Sequence, residues 1–527
     1  MATATSTRVP TADPLRLASR LSGAMWGLLV GDAVGVPYEF GPARPAAAVA
    51  FGAPGGPWRQ PAGTWSDDGA LALALLDSLL PGTPGRGHGT RTPRFRPEDQ
   101  GRRFLAWRDG TAYTPDGDGR FDIGPTTAEA LGRLADGVPA LQAGPDGERS
   151  CGNGSLMRIL PLALALRDRP TGQLIRRAHE ASRVTHGHPR CQVACAVYCV
   201  AVAGLLRGLD PADALARALD ACGRAYRRDR GHAAHLAALA ELRAHEKRTG
   251  SGYVLDSFWS AWDAFAGASG YADAVRRAVA YGNDTDTTAA IAGGLAGARW
   301  GWEAIPAEWR RGMRGSAVAQ PIIDRLVETV DAGAGSGPVR TSSGSPLRVD
   351  LLDLAGTALE GTGRVGITFL PGKKRDGQSG PHWRDLGLDL ARLRDQGVDA
   401  LFLLVEDDEL AYCGVADLPA LMAAGGPELV RFPVPDPRTP VGREREYRDA
   451  VRALVERVRS GGFVAIACRG GMDRSGMTAA VLYREAGLGA DEAMARVQAA
   501  RRHTITIGDQ REFVRAWPWG TELRRPS

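Results

Sequence analysis

Residues 331–346 read DAGAGSGPVRTSSGSP, and the spacing of apolar residues changes across them. Upstream, apolar side chains recur at helical spacing in run after run. Downstream, short β-branched runs alternate with helical ones. One core does not serve both patterns, and 527 residues exceed what a single ordinary core supports. The sequence therefore predicts several domains: an all-α domain over 16–331, a flexible linker over 332–346, and an α/β domain over 347–527 with a central, mostly parallel sheet. Residues 1–15 are Thr/Ala-rich without an apolar centre, and are expected to be a disordered N-terminus rather than a signal peptide.

Upstream helices are expected at 16–35, 70–80, 98–108, 126–136, 155–167, 171–183, 190–206, 211–226, 230–247, 256–264, 271–280, 288–300 and 320–331. The first carries Gly23, Gly27, Gly31 and Gly35 on one stripe, which permits a close helix contact inside a core. The most apolar window, 193–206, is shorter than the roughly 20 residues of a membrane span and is flanked by Arg190 and Arg207, so it reads as a buried helix. Residues 81–97 form a Pro/Gly/Arg-rich loop whose Arg86, Arg91, Arg94 and Arg96 are either solvated surface or a lid over an anionic ligand. Downstream, strands are expected at 365–370, 400–405, 429–432 and 463–467, and helices at 383–396, 415–424, 444–460, 475–485 and 490–501. A net charge of +5, with no aromatic platform among the basic clusters Arg227–Arg230 and Arg501–Arg502, argues against a nucleic-acid partner. Seven cysteines, an odd number without a CxxC pair, fit a reduced, cytoplasmic protein.

Two stretches place carboxylates at helix mouths. Gly282-Asn283-Asp284-Thr285-Asp286-Thr287-Thr288 opens into a small-residue helix, and Ser66-Asp67-Asp68-Gly69 opens into an Ala/Leu helix. Each alone can be an N-cap with acids favoured by the helix dipole. Facing one another, they would offer four carboxylates and two hydroxyls, a donor set for two hard divalent cations. Thr185-His186-Gly187-His188 lacks a third imidazole and reads as a helix-end or pocket element.

With Gly31-Asp32-Ala33-Val34-Gly35-Val36-Pro37-Tyr38-Glu39, Thr64-Trp65-Ser66-Asp67-Asp68, Asp122-Ile123-Gly124 and Gly152-Asn153-Gly154-Ser155-Leu156-Met157-Arg158, these stretches resemble the ADP-ribosylglycohydrolases over about 17–331. Ser66 stands where that family usually has Thr, which keeps the hydroxyl. The resemblance implies an all-helical enzyme with two Mg²⁺ or Mn²⁺ ions held by Ser66, Asp67, Asp68, Asp284, Asp286 and Thr287. It implies Glu39 or Asp122 as the proton carrier, and Gly124, Asn153, Gly154 and Ser155 as substrate-binding. Its substrate would be an ADP-ribosylated protein or an ADP-ribose derivative, with arginine, serine, nucleic acid and free ADP-ribose compounds all open as acceptor.

The strand at 463–467 runs into Cys468-Arg469-Gly470-Gly471-Met472-Asp473-Arg474-Ser475-Gly476 and then a helix. Backbone N–H groups of such a turn, the helix N-terminus and the Arg474 fork make a phosphate cradle. That field favours a Cys468 thiolate, which can attack phosphorus. Ser475 can assist its departure, and Asp436 on a proline-stiffened loop can protonate the leaving oxygen. Residues 363–516, including Gly366 to Lys374, Trp383, Glu409, Leu410 and Gln510, resemble dual-specificity cysteine phosphatases of the kinase-associated type. The resemblance implies substrate contacts from Arg469, Gly470, Gly471, Met472, Asp473 and Gln510, no cofactor, and a phosphorylated protein or small phosphate monoester as partner. Ala467 stands where that family has a histidine. A bifunctional hydrolase is therefore expected, with a glycohydrolase carrying a non-catalytic phosphate-binding module as the alternative. A nucleotide sensor is disfavoured, because every metal-ligand position is filled.

Overall fold

The computed structural model describes residues 13–81, 92–117, 120–228, 230–331, 337–377 and 380–517. Most of the expected disordered N-terminus, and Arg86 and Arg91 of the arginine loop, lie outside the described residues. The chain divides into two compact units, Met1–Asp331 and Ala332–Ser527.

The first unit is built of helices. Asp13 accepts from the Leu15 N–H at 3.0 Å and Pro14 opens the first helix, Pro14–Gly35, so order begins before the expected boundary of 16. This helix lies along the Thr285–Trp300 helix, and the glycine stripe is their interface. A Cβ on Gly27, Gly31 or Gly35 would run into the backbone of Gly293, Ala289 or Asp286. That close approach brings the mouth of the Thr285–Trp300 helix beside the end of the first one. Leu21, Leu28 and Leu29 are fully buried alongside it, each contributing about 1.5–3 kcal/mol of hydrophobic stabilisation. The apolar Pro189–Leu206 helix passes a length and composition test for a membrane span, yet most of it is buried within this unit. Its Cys191, Cys195 and Cys199 are buried and free. The helix expected over 155–167 contracts to Leu160–Ala165, because the chain turns through 153–159 before Pro161 allows a helix start.

The second unit is α/β. Its strands are β1 (Asp350–Leu351), β2 (Arg364–Phe369), β3 (Asp376–Gly377), β4 (Gly380–Pro381), β5 (Ala400–Leu403), β6 (Glu428–Arg431) and β7 (Phe463–Cys468). Five form one sheet in the order β1-β2-β7-β5-β6, parallel except for β1 at the edge; β3 and β4 pair separately. Side chains alternate along the central strands between two cores. Val464 and Ile466 pack with Val451 and Leu454 of the Glu444–Arg459 helix, and Ala465 and Ala467 with Leu390 and Leu393 of the Leu386–Asp395 helix. The helices Asp407–Tyr412 and Gly508–Ala516 and the strand β1 were not expected.

The described part of the expected linker is not free chain. Residues 332–336 lie outside the described residues, but 337–346 run against the second unit. Val339 and Thr341 are buried, the Arg340 N–H donates to Pro381 O at 2.9 Å, and the Trp383 N–H donates to Arg340 O at 2.9 Å. Buried apolar contact and paired backbone groups override a Gly/Ser-rich composition.

Candidate functional sites

In the first unit the two helix mouths and the end of the first helix converge. Ser66 caps the Asp67–Leu79 helix, its hydroxyl accepting from the Asp68 N–H at 3.3 Å. Asp284 occupies the N-cap position of the Thr285–Trp300 helix but makes no side-chain cap bond. Its Oδ2 accepts instead from Asn153 Nδ2 at 2.8 Å. The simple capping role thus accounts for Ser66 and not for the acids. Asp68 accepts from Ser66 Oγ at 3.2 Å and from Thr287 Oγ1 at 3.2 Å, which ties the two mouths together.

Two overlapping carboxylate trios result, Asp32-Asp68-Asp286 and Glu39-Asp284-Asp286, each with ligand oxygens within 4.8 Å of one another. Asp32 was not singled out from the sequence. It accepts from the Ser66 N–H at 2.9 Å and the Gly69 N–H at 2.8 Å, so it orients the helix mouth as well as joining the cluster. A lone Asp directly after Gly31 in an otherwise apolar run was the available signal. Asp67 lines the cleft but stands outside both trios.

The crowd of acids perturbs every member. Burial, reinforced by Asp122, pushes Asp32 up to about 7 and Glu39 up to about 8. Burial likewise pushes Asp122 to about 7, opposed by its hydrogen-bonding contact with Asp286. Asp67, Asp68 and Asp286 are driven well above the ordinary carboxylate range by burial and by their acidic neighbours, and Asp284 is raised by burial. Asp286 Oδ1 accepts from the Thr287 N–H at 2.9 Å, while its buried Oδ2 has no hydrogen-bond partner. An all-oxygen donor set with an orphaned buried carboxylate oxygen fits a hard divalent cation.

Glu39, Asp67, Asp122 and Asp284 line a cleft of about 420 Å³. Gly124, Asn153 and Gly154 line it, together with His186, from the stretch read as a helix-end or pocket element, and Phe40 and Trp58, which sequence reasoning had not assigned to the site. Trp58 Nε1 donates to Glu39, and the Trp58 ring stands 5.7 Å from Phe121 and 6.4 Å from Phe40, making an aromatic rim. Asp122 adopts a left-handed backbone, φ 61°, at this rim. Burial depresses His186 to about 3, so it is a neutral wall, and His188 caps the Pro189–Leu206 helix; neither joins the acid trios. Ser155 is a correction. It is fully buried, accepts from Ser182 Oγ at 2.9 Å and faces the core rather than the cleft. Arg94 and Arg96 are exposed and do not line the cleft, which removes them from a lid.

In the second unit Cys468 ends β7 and the Asp473–Glu485 helix begins five residues on. Cys468 Sγ lies 3.3 Å from Ser475 Oγ. Gly471 has φ +67° and packs so closely on Thr368 O that a Cβ would clash. Arg474 is bound in a fork by Glu409 at 2.6 and 2.8 Å and donates to Val434 O at 2.8 Å. Its Nε makes no hydrogen bond and faces Asp436 at 3.4 Å, while Asp436 pairs with Arg469 at 2.9 Å. An incoming phosphate would compete with Asp436 for those arginines. Glu409 orients Arg474, a role the sequence reading had not assigned.

Two expected substrate contacts are redirected. Gln510 Nε2 donates to Pro437 O at 3.1 Å and Arg438 O at 3.3 Å, so it holds the Asp436 loop. Asp473 accepts from the Thr506 N–H and Oγ1 at 2.7 and 2.9 Å, so it braces the 504–506 segment. Ala467 is buried among apolar side chains and brings no polar group to the loop.

A helical unit whose cleft is floored by carboxylates from separate helix mouths is the architecture of an acid-lined, cation-type hydrolase site. The family model for ADP-ribosylglycohydrolase matches residues 13–335, and the chain belongs to that family. The ADP-ribosylarginine hydrolase Tri1 of Pseudomonas putida (strain GB-1) is 31% identical over 338 residues, covering 62% of this chain and 84% of its own. The ADP-ribosyl-[dinitrogen reductase] glycohydrolase of Rhodospirillum rubrum is 29% identical over 295 residues, covering 55% of this chain and 88% of its own. A solved kinase-associated phosphatase, its catalytic cysteine replaced by serine, covers 32% of this chain and 93% of its own at 21% identity, with a TM-score of 0.29. At that score the second unit rests on its own geometry.

Proposed function

We propose that the first unit hydrolyses the bond between ADP-ribose and an arginine side chain, with two Mg²⁺ or Mn²⁺ ions held by Asp32, Asp68, Asp286, Glu39 and Asp284. The single observation that carries this reading is the meeting of both carboxylate trios at the buried Asp286, with Glu39 and Asp284 of one trio lining the cleft. Bound divalent cations supply charge that holds ribose hydroxyls and acidifies water. The chain's own groups do the rest. Asn153 fixes Asp284, and Trp58 fixes the free rotation of Glu39. Asp122, which stands outside the two carboxylate trios and is shifted so that it holds a proton near neutral pH, is the group that would give one to the departing guanidine nitrogen. The aromatic rim keeps the cleft dry around the oxocarbenium-like state that breaking a ribosyl bond creates. The acceptor assignment draws on the name of the Pseudomonas relative. Incubation with an ADP-ribosylarginine peptide should release ADP-ribose only when Mg²⁺ or Mn²⁺ is present, and Asp286→Asn should lower the rate about a hundredfold or more. Preferential cleavage of a serine-linked peptide would overturn the acceptor, and full turnover in EDTA would overturn the metals.

A second activity is favoured by the 3.3 Å approach of Cys468 to Ser475 at a helix mouth. In this reading the thiolate forms a bond to phosphorus as the ester P–O bond breaks, and Asp436 gives its proton to the leaving oxygen. Water then releases phosphate from sulfur. Cys468→Ser should abolish hydrolysis of an aryl phosphate while retaining binding, and Asp436→Ala should slow poor leaving groups more than good ones. Wild-type protein inert on every phosphate monoester would leave a binding module.

A further inference from the structure

A second cavity, of about 510 Å³, lies in the second unit beside the cysteine loop. Gly470 and Met472 of that loop reach it, and so does Phe369, the register partner of Cys468 on the neighbouring strand. Its opposite wall is the chain that composition reads as linker, including Arg340 and residues 344–346. Arg340, Arg348, Lys373, His382, Arg384 and Arg501 line it, and among the described residues no acidic one does.

Two of these cations are already engaged: Arg384 pairs with Asp389 at 2.7 Å and Arg501 with Asp350 at 2.6 Å. Three are not. Lys373 is 3% exposed, and among the described residues its ammonium has no carboxylate within ion-pair distance. Arg340 and Arg348 stand exposed at the rim, also without a carboxylate partner among the described residues. His382 is 6% exposed and keeps a buried Nδ1 without a hydrogen-bond partner. Asp376 acts on Lys373 only from beyond ion-pair distance, and a buried ammonium without a direct ion-pair partner is costly in free energy, so a cavity of this kind is shaped for an anion. Its buried floor suits a small molecule better than a peptide lying across a surface, and its volume falls in the ordinary range of small-ligand pockets.

We propose that this cavity holds the second phosphate of a small, doubly phosphorylated substrate whose other phosphate monoester is cleaved at Cys468. The inference rests on the reading of Cys468 as a phosphatase nucleophile, and it adds the substrate class. One phosphate is transferred to sulfur and released by water; the other stays intact against Lys373, Arg340 and Arg348. Phe369 offers an apolar ring to the scaffold between the two phosphates.

The full chain can be assayed with adenosine 3′,5′-bisphosphate, the two adenosine monophosphates, inositol 1,4-bisphosphate and para-nitrophenyl phosphate. Arg340→Glu and Arg348→Glu reverse rim charges without opening the core. The bisphosphates should exceed the monophosphates in kcat/KM by about tenfold or more, and either variant should remove most of that advantage. Para-nitrophenyl phosphate, which lacks the second group, should change by less than about twofold in the variants. The better of the adenosine and inositol compounds identifies the scaffold. Equal rates on bis- and monophosphates, equal losses on every substrate, or a doubly phosphorylated peptide preferred over both small molecules would overturn the proposal. Where no substrate turns over, the phosphatase reading fails and calorimetry judges the cavity. Adenosine bisphosphate binding that exceeds monophosphate binding and weakens in Arg340→Glu supports the anion site; indifference to either change overturns it.

Discussion

The carboxylate cluster makes pH and metal inseparable. Burial pushes Asp32 and Asp122 up to about 7 and Glu39 up to about 8, whereas unfolded chains ionise such groups near about 4. The metal-free fold therefore binds protons that the unfolded chain has lost, and its stability should fall as pH rises from roughly 4 through 8. A divalent cation displaces those protons, so its binding should tighten over the same window and release protons as it does. Thermal unfolding with and without Mg²⁺ or Mn²⁺ should show a larger metal-induced gain at pH 8 than at pH 5.5. A gain of one size at both would remove the cation from this cluster.

At the scale of elements, the site exists because two helices touch at their backbones. The stripe of Gly27, Gly31 and Gly35 lets the Pro14–Gly35 helix carry Asp32 against Asp286. Gly31→Val would force the helices apart at Ala289. Overpacking of this kind costs about 1–3 kcal/mol or more, and the metal-induced gain in Tm should shrink as well, because the carboxylates separate. Gly132→Ala on the Pro125–Ala135 helix is the control. A Cβ there meets nothing within 4 Å, so that change should stabilise by about 0.5–1 kcal/mol. Equal effects of the two substitutions would deny the stripe its role. The stripe was legible in the sequence as a period of four; its partner helix was not, because some 250 residues separate Gly31 from Ala289.

At the scale of the whole molecule, the division between units falls after Asp331, where the sequence reading ended the helical domain, and 337–346 belong to the second unit. Residues 337–346 supply buried Val339 and Thr341, and Arg384 donates to Thr341 O at 3.2 Å and Ser345 O at 2.8 Å. A fragment of 337–527 should therefore unfold cooperatively, and one of 347–527 should unfold several degrees lower, as follows from about 2–4 °C per kcal/mol at this size. It should also lose the bisphosphate preference, since Arg340 goes with the deleted segment. Identical melting of the two fragments would return 337–346 to the status of free chain.

Local chemistry was readable from the order of residues alone. Acids at helix mouths, a glycine period and a Cys-to-Arg turn after a β-branched strand are short-range patterns, each confined to one element and its flank. Those patterns carried the division into helical and α/β units and the helix-mouth residues Asp67, Asp284 and Thr287 of the acid cleft, while Glu39, Asp122, Gly124, Asn153 and Gly154 came from the family resemblance. Only the tertiary structure decided which side chains share a point in space. It turned Ser155 into the core, drew Asp32 and Trp58 to the acids, committed Arg474 to Glu409, and converted part of a linker into the wall of a basic cavity. The physical reason is one of range. Helix and strand signals act over a few residues, whereas burial, charge crowding and cavity walls arise from contacts between segments far apart in sequence.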